Sequence, residues 1–105
     1  MIRVTVWRQT VPPPPGTSPA AGIAAFNAFV AAAKKVPGAG EVHWGYGHGG
    51  IVTVGFPTNY AAADAILKDP GVQATGAKLL ALGVGIEEDF FITTAEQVAP
   101  FMPQQ

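Results

Sequence analysis

The chain has 105 residues, no cysteine, and a net charge of −1 from six basic and seven acidic residues. Its length fits a single domain, residues 1–105, and the lack of cysteine excludes disulfides, thiolate metal ligands and cysteine nucleophiles. The balanced charge lacks the basic excess of a nucleic-acid-binding protein, so we expect no nucleic-acid partner. Charged residues make up 12% of the chain, well below the ~25% typical of soluble domains, which predicts an apolar surface covered by a second subunit.

The N-terminal residues MIRVTVWRQT lack the basic region, apolar run and cleavage site of a signal peptide. The longest weakly polar run, residues 19–33, is too short to span a bilayer. Together with the absence of cysteine, these features predict a cytoplasmic protein with no membrane partner.

The first elements in chain order are a strand, a proline-rich connector and a helix. Residues 2–9 alternate in the period-two pattern of a half-buried strand. The run VPPPPG at residues 11–16 removes backbone donors and ends that strand. A helix then opens at Pro19, after an N-cap at Thr17 or Ser18. Its buried face is predicted from three- and four-residue spacing to contain Ile23, Phe26, Val30 and Ala33.

Two further strands are predicted over residues 41–47 and 51–56. Gly49 and Gly50 lie between them, where a glycine pair supplies the positive φ angles of a tight hairpin. The last strand is predicted over residues 87–93. The tail beyond it has no strong pattern.

The second helical region, between the third and last strands, is predicted in two pieces. Thr58 or Asn59 caps the first piece. Asp69 and Pro70 then interrupt it, with Asp69 as the cap and Pro70 as the opening residue of the second piece.

The order β, α, β, β, α, β predicts an α+β domain with a ferredoxin-like βαββαβ fold. In this fold a four-stranded antiparallel sheet carries its helices on one face, and the other face stays open. We therefore predict a homodimer formed through the open sheet face.

Residues 41–92 resemble the dimeric α/β-barrel superfamily, whose ferredoxin-like subunits pack sheet against sheet. The resemblance is carried by the glycine-turned hairpin, by FPTNYAAADAILKDPGVQATGAKLLALG and by the strand IEEDFFI. The break at residues 69–73 is similar to that of antibiotic-biosynthesis-monooxygenase-like and NIPSNAP-like members. The resemblance implies a range of activities, from cofactor-independent oxygenases, isomerases and haem-degrading enzymes to members without an assigned activity. It implies ligand cavities between sheet and helices or inside the barrel. We predict no cofactor.

The stretch HWGYGHGG, residues 43–50, gathers both histidines of the chain. His43 and His48 are five residues apart, so a regular strand directs them to opposite faces, and only Glu41 lies close enough in sequence to join a metal site. We therefore predict no metal site. A dinucleotide loop needs a helix after it, but the strand IVTVGF follows here. His48 is predicted to be a turn residue, which leaves His43 as the candidate acid–base group.

Alternation along the strands assigns the side chains of the sheet to two faces. The more aliphatic set is predicted to pack under the helices: Ile2, Val4, Val6, Val52, Val54, Phe56, Phe90 and Ile92, with Trp44 and Tyr46. A mixed polar and aromatic set is predicted on the open face: Arg3, Thr5, Trp7, Glu41, His43, Thr53, Asp89 and Phe91. Glycines of the same face leave space above it.

Two functions stay open at this point. In the first, a homodimeric α/β-barrel protein binds a small apolar or aromatic organic molecule and acts as a cofactor-independent monooxygenase or an isomerase-like enzyme. His43 is then the catalytic residue, and the substrate site contains Trp7, Thr5, Glu41, Thr53 and Phe91. In the second, the protein is a non-enzymatic ligand carrier or assembly module whose open sheet face is only a dimer interface.

Overall fold

A computed structural model describes residues 1–93 of the chain. These residues form strands β1 Ile2–Gln9, β2 Val42–Gly47, β3 Gly50–Gly55 and β4 Val84–Ile92, and helices α1 Pro19–Lys34, α2 Tyr60–Lys68 and α3 Pro70–Ala81. The strands make one antiparallel sheet in the order β2-β3-β1-β4. The predicted ferredoxin-like fold is therefore confirmed. The predicted tail lies outside the described residues.

The helix starts follow from the local sequence. Asn59 caps α2, because its side chain accepts a hydrogen bond from an amide in the first turn. Asp69 caps α3 in the same way, accepting from the amide of Val72 at 3.0 Å, and Pro70 occupies the first position of that helix. The predicted break between the two helical pieces is confirmed. At α1, Ser18 is the N-cap residue, but its side chain makes no capping hydrogen bond.

The hairpin between β2 and β3 differs from the prediction in its turn residues. Gly47 pairs with Gly50, so the turn consists of His48 and Gly49, with φ angles of 53° and 73°. Two positive φ angles are characteristic of the turn that matches the twist of a hairpin. Gly50 is a strand residue instead, and a side chain there would collide with the backbone of Trp7. Gly50 is thus required for close approach, while His48 takes the strained turn position.

Strand β4 begins at Val84, three residues earlier than predicted. Gly85 therefore lies inside the sheet, where it pairs with Arg8. The pairing shifts register between Val6 and Trp7, which marks a bulge.

The helices cover one face of the sheet, and an aromatic cluster joins the two layers. The Trp7 ring meets the rings of Phe26 and Phe29 edge-on, with centroids 5.5 and 5.3 Å apart. Phe26 also stacks on Trp44 at 5.4 Å and is fully buried. Trp44 therefore packs under α1 as predicted, whereas Tyr46 is 74% exposed and does not. Ile23 was also predicted to be buried but is half exposed, because the buried residues of α1 begin at Ala25.

The predicted faces of β1, β3 and β4 are wrong. Trp7 packs against α1, and Thr5 and Thr53 share its face because alternate residues of a strand and directly paired residues lie on one side. The aliphatic residues predicted under the helices therefore lie on the opposite face: Ile2, Val4, Val6, Val52, Val54, Phe90 and Ile92. Val6 is nevertheless only 2% exposed. Phe56, also predicted under the helices, follows the end of β3 and is 42% exposed. For His43 in β2 the predicted face was right, since His43 pairs with Val54 and lies on the open face.

Candidate functional site

A cavity of about 350 Å³ lies between the sheet and the helices. Its walls are largely apolar. The sheet contributes Arg3, Thr5, Trp7, Val42, Thr53 and Ile86, and the helices contribute Phe29, Ala33, Ile66, Val72, Gly76 and Leu80. The layer architecture explains the place of the cavity, because α1, α2 and α3 cover the same sheet face but leave space at its centre.

Two glycines keep part of this space free. A Cβ atom at Gly76, on the cavity side of α3, would meet no atom within 4 Å. A Cβ atom at Gly55, in β3, would make only an ordinary contact with Val42 at 4.0 Å. The chain thus leaves unfilled a space that larger residues could occupy.

Two threonines face each other on the sheet floor of the cavity. Thr5 in β1 pairs directly with Thr53 in β3, and their exposed fractions are 7% and 5%. The indole Nε1 of Trp7 donates a hydrogen bond to Thr53 Oγ1 at 3.0 Å. The floor therefore offers hydroxyl groups in otherwise apolar surroundings.

An ion pair adjoins the floor. Arg3 Nε and Nη2 donate to the two carboxylate oxygens of Asp89 at 3.0 and 2.6 Å, and Thr5 Oγ1 donates to Asp89 Oδ1 at 2.9 Å. The hydrogen bonds from Arg3 hold the pKa of Asp89 below its usual value against the opposing effect of burial, and Thr5 adds to the lowering. The guanidinium of Arg3 also lies 5.4 Å from the ring centroid of Phe91, and Phe91 meets Tyr60 edge-on. Asp89 is thus a carboxylate that Arg3 already neutralises.

The predicted catalytic residue lies elsewhere. His43 Nε2 is 3.1 Å from Glu41 Oε2, and both side chains are well exposed, at 59% and 79%. His43 is on the open face, opposite to Trp7, because the helices cover the face that carries Trp7.

The structure therefore divides the six predicted site residues. It brings Thr5, Trp7 and Thr53 together in the cavity, though on the helix side of the sheet and not on the open face as predicted. Phe91 lies beside Arg3, on the same sheet face but outside the cavity lining, and Glu41 and His43 form a separate exposed pair.

No group of three or more His, Cys, Asp or Glu side chains that could hold a metal ion occurs among residues 1–93. His48 is in the hairpin turn, as predicted, with Nε2 3.9 Å from Glu88 Oε2. Over the same residues, no helix is both long and apolar enough to cross a membrane.

The sequence reasoning missed the helix side of the cavity and the structural role of Arg3 and Asp89. Gly76 and Gln73 both line the cavity, and the glycine inside a helix was an available signal. The pairing of Arg3 and Asp89 was also accessible, because both were predicted on one face.

No protein-family model matches the sequence, and no functionally curated protein matches it. Solved structures do resemble it. A protein from Arabidopsis thaliana has a TM-score of 0.67 at 13% identity, covering 90% of this chain and 96% of its own. A dimeric ferredoxin-like protein of unknown function from Jannaschia sp. CCS1 has a TM-score of 0.64 at 18% identity, covering 88% and 100%.

SnoaB, a cofactor-independent oxygenase from Streptomyces nogalater, was crystallised as a variant and has a TM-score of 0.63 at 16% identity, covering 90% of this chain and 91% of its own. At these identities the likeness concerns the fold. The chain has the ferredoxin-like fold of these proteins, as its resemblance to the dimeric α/β-barrel superfamily implied.

Proposed function

We propose that this protein binds a small, largely apolar organic molecule in the cavity between its sheet and its helices. The cavity itself carries the proposal: its volume of about 350 Å³ falls within the ~300–1,000 Å³ range of small-molecule sites. Apolar walls with a few polar groups on one side are also the usual composition of such sites. Gly76 supports the proposal further, since the chain keeps open a space that a side chain could fill.

The test is a calorimetric titration of the protein with fluorene, a flat aromatic hydrocarbon. We expect saturable binding that the substitution Gly76→Leu removes, because the leucine side chain would occupy the cavity. Gly22→Leu is the matched control, because Gly22 also lies inside a helix with no atom within 4 Å of a built Cβ but is not part of the cavity lining. Equal affinity in both variants would mean that the probe binds elsewhere.

We further propose that two copies associate through the open sheet face. Its aliphatic residues support this, together with the low content of charged residues. The Jannaschia relative in fold is described as dimeric. Sedimentation at micromolar concentration tests the proposal, and a strictly monomeric chain would refute it.

A cofactor-independent oxygenase is a second candidate, favoured by the likeness in fold to SnoaB. The geometry of the cavity favours binding without turnover. The carboxylate of Asp89, which adjoins the cavity floor, is paired with Arg3 and has a lowered pKa, which makes it a weak base. Oxygen consumption in the presence of a bound probe distinguishes the two candidates.

The acid–base role of His43 stays a prediction. Because His43 and the cavity lie on opposite faces of the sheet, we expect His43→Ala to leave fluorene affinity unchanged. Turnover that disappears in this variant, with the oligomeric state intact, would favour the enzyme and the role of His43. Loss of the dimer would instead favour an interface role for His43 and Glu41.

A further inference from the structure

The two threonines on the cavity floor differ in how their hydroxyl protons are used. Thr5 donates its proton to Asp89 at 2.9 Å. Thr53 accepts a hydrogen bond from Trp7 Nε1 at 3.0 Å. An indole N–H can only donate, so this bond uses a lone pair of Thr53 and leaves its proton free.

Within residues 1–93, Thr53 Oγ1 donates to no acceptor, although the residue is only 5% exposed. A buried donor without an acceptor costs free energy, and this cost is recovered when a bound molecule supplies the acceptor. The Trp7 bond also fixes the position of the oxygen. The cavity floor therefore presents one oriented hydroxyl donor.

The charges near the cavity disfavour ionic ligands. Among residues 1–93, Arg3 is the only cationic side chain in the lining. Its Nε and Nη2 donate to Asp89, and its Nη1 donates to Ala63 O at 3.4 Å. A ligand carboxylate would have to compete with this bidentate pair, and a ligand cation would find the carboxylate already neutralised. A neutral acceptor oxygen suits the site better.

We propose that the molecule bound in this cavity is neutral and carries a carbonyl group, and that the Thr53 hydroxyl donates a hydrogen bond to its carbonyl oxygen. This inference rests on the proposed ligand-binding function and names the polar chemistry of the ligand. The apolar walls enclose the hydrocarbon part, and Thr53 fixes the orientation of the carbonyl group.

The test compares 9-fluorenone with fluorene, which differ by a carbonyl in place of a methylene group. We expect the wild-type protein to bind fluorenone about threefold to tenfold more tightly, the range of one net hydrogen bond. Thr53→Val should abolish this preference with little effect on fluorene, and Thr53→Ser should restore it. Thr10→Val is the control: the Thr10 hydroxyl donates to Gly83 O at 3.1 Å but is outside the cavity lining, so this variant should keep the preference.

The outcomes separate this inference from the proposed function. Equal affinity for both probes in the wild type, or a preference that persists in Thr53→Val, overturns the inference and leaves the cavity as a binding site. Failure of both probes to bind overturns both. Thr53→Val also removes the hydrogen-bond acceptor of Trp7, and this loss could itself alter the cavity. The infrared spectrum of fluorenone bound to the wild-type protein therefore gives a second test that needs no variant. A carbonyl stretch lowered from its value in hydrocarbon solvent supports the hydrogen bond, and an unchanged stretch overturns it.

Discussion

Filling the cavity should make the protein more stable, which is unusual for a substitution that adds four carbon atoms to a domain interior. Gly76→Leu is the variant of choice, because no atom lies within 4 Å of a Cβ built there. Burying a leucine side chain contributes about 1.5–3 kcal/mol. Replacing glycine inside a helix adds about 0.8 kcal/mol, and the lost rotamer freedom removes about 0.5–1 kcal/mol. The free energy of unfolding should therefore rise by about 1.3–3.3 kcal/mol.

The control Gly22→Leu separates the cavity from the helix. It gains the helix-propensity contribution of about 0.8 kcal/mol but fills no cavity. For a domain of this size each kcal/mol raises Tm by about 4–8 °C, so Gly76→Leu should exceed the control by about 2–20 °C. Thermal unfolding of both variants at one protein concentration measures the difference, since dimerisation would make Tm depend on concentration.

A Gly76→Leu variant no more stable than its control would refute this reasoning. It would mean that the space above the threonines is closed in solution by movement of α2 and α3. A Gly76→Leu variant less stable than the wild type would indicate that the interior is already packed there, because a side chain forced into a packed interior strains its neighbours.

Three further predictions concern the faces of the sheet. Gly45→Lys adds a charged side chain on the open face where a Cβ meets no atom within 4 Å, so the variant should fold but sediment as a monomer; an unchanged dimer would place the interface elsewhere. Asp89→Asn should lose less stability than the wild type on acidification. Because the pKa of Asp89 is lowered in the folded protein, Asp89 contributes its full stabilisation above the unfolded pKa of about 3.9, and this stabilisation is lost as the pH falls through the folded pKa. Urea unfolding of both proteins at neutral pH and near pH 2 measures the loss of stability. The loss in the wild type should exceed that in the variant by less than about 1 kcal/mol, because Asp89 is partly exposed. Phe26→Ala should cost about 3–5 kcal/mol, since this fully buried ring joins α1 to the sheet; a loss below 1 kcal/mol would contradict the packing.

The fold was predictable because local signals and element order agreed. Pro70 after Asp69 fixed the helix break, and alternation fixed β1. The hairpin turn was misjudged because two glycines, Gly49 and Gly50, competed for one position. Only the approach of Trp7 to Gly50, a contact distant in sequence, decides between them.

The faces of the sheet were not predictable from hydrophobicity. The usual rule buries the more apolar face of a strand, and it selected Val4 and Val6 over Thr5 and Trp7. The rule fails here because the open face is as aliphatic as an interior. As a result, Thr5, Trp7 and Thr53 were predicted to lie on one face, and they do, but it is the helix side of the sheet. His43 was predicted on that same face but lies on the opposite one.

The hydrogen bonds on the cavity floor also specify how the strands align. Because side chains alternate between the faces, a slip of β1 by one residue would move Trp7 from under α1 to the open face and bring an aliphatic residue into its place. Such a slip would separate Trp7 from Thr53 and Thr5 from Asp89, and would leave an indole N–H and a carboxylate without their partners. The same polar groups that make the cavity receptive to a ligand thus select one strand register over its neighbours, so substitutions that tune binding here also act on folding fidelity.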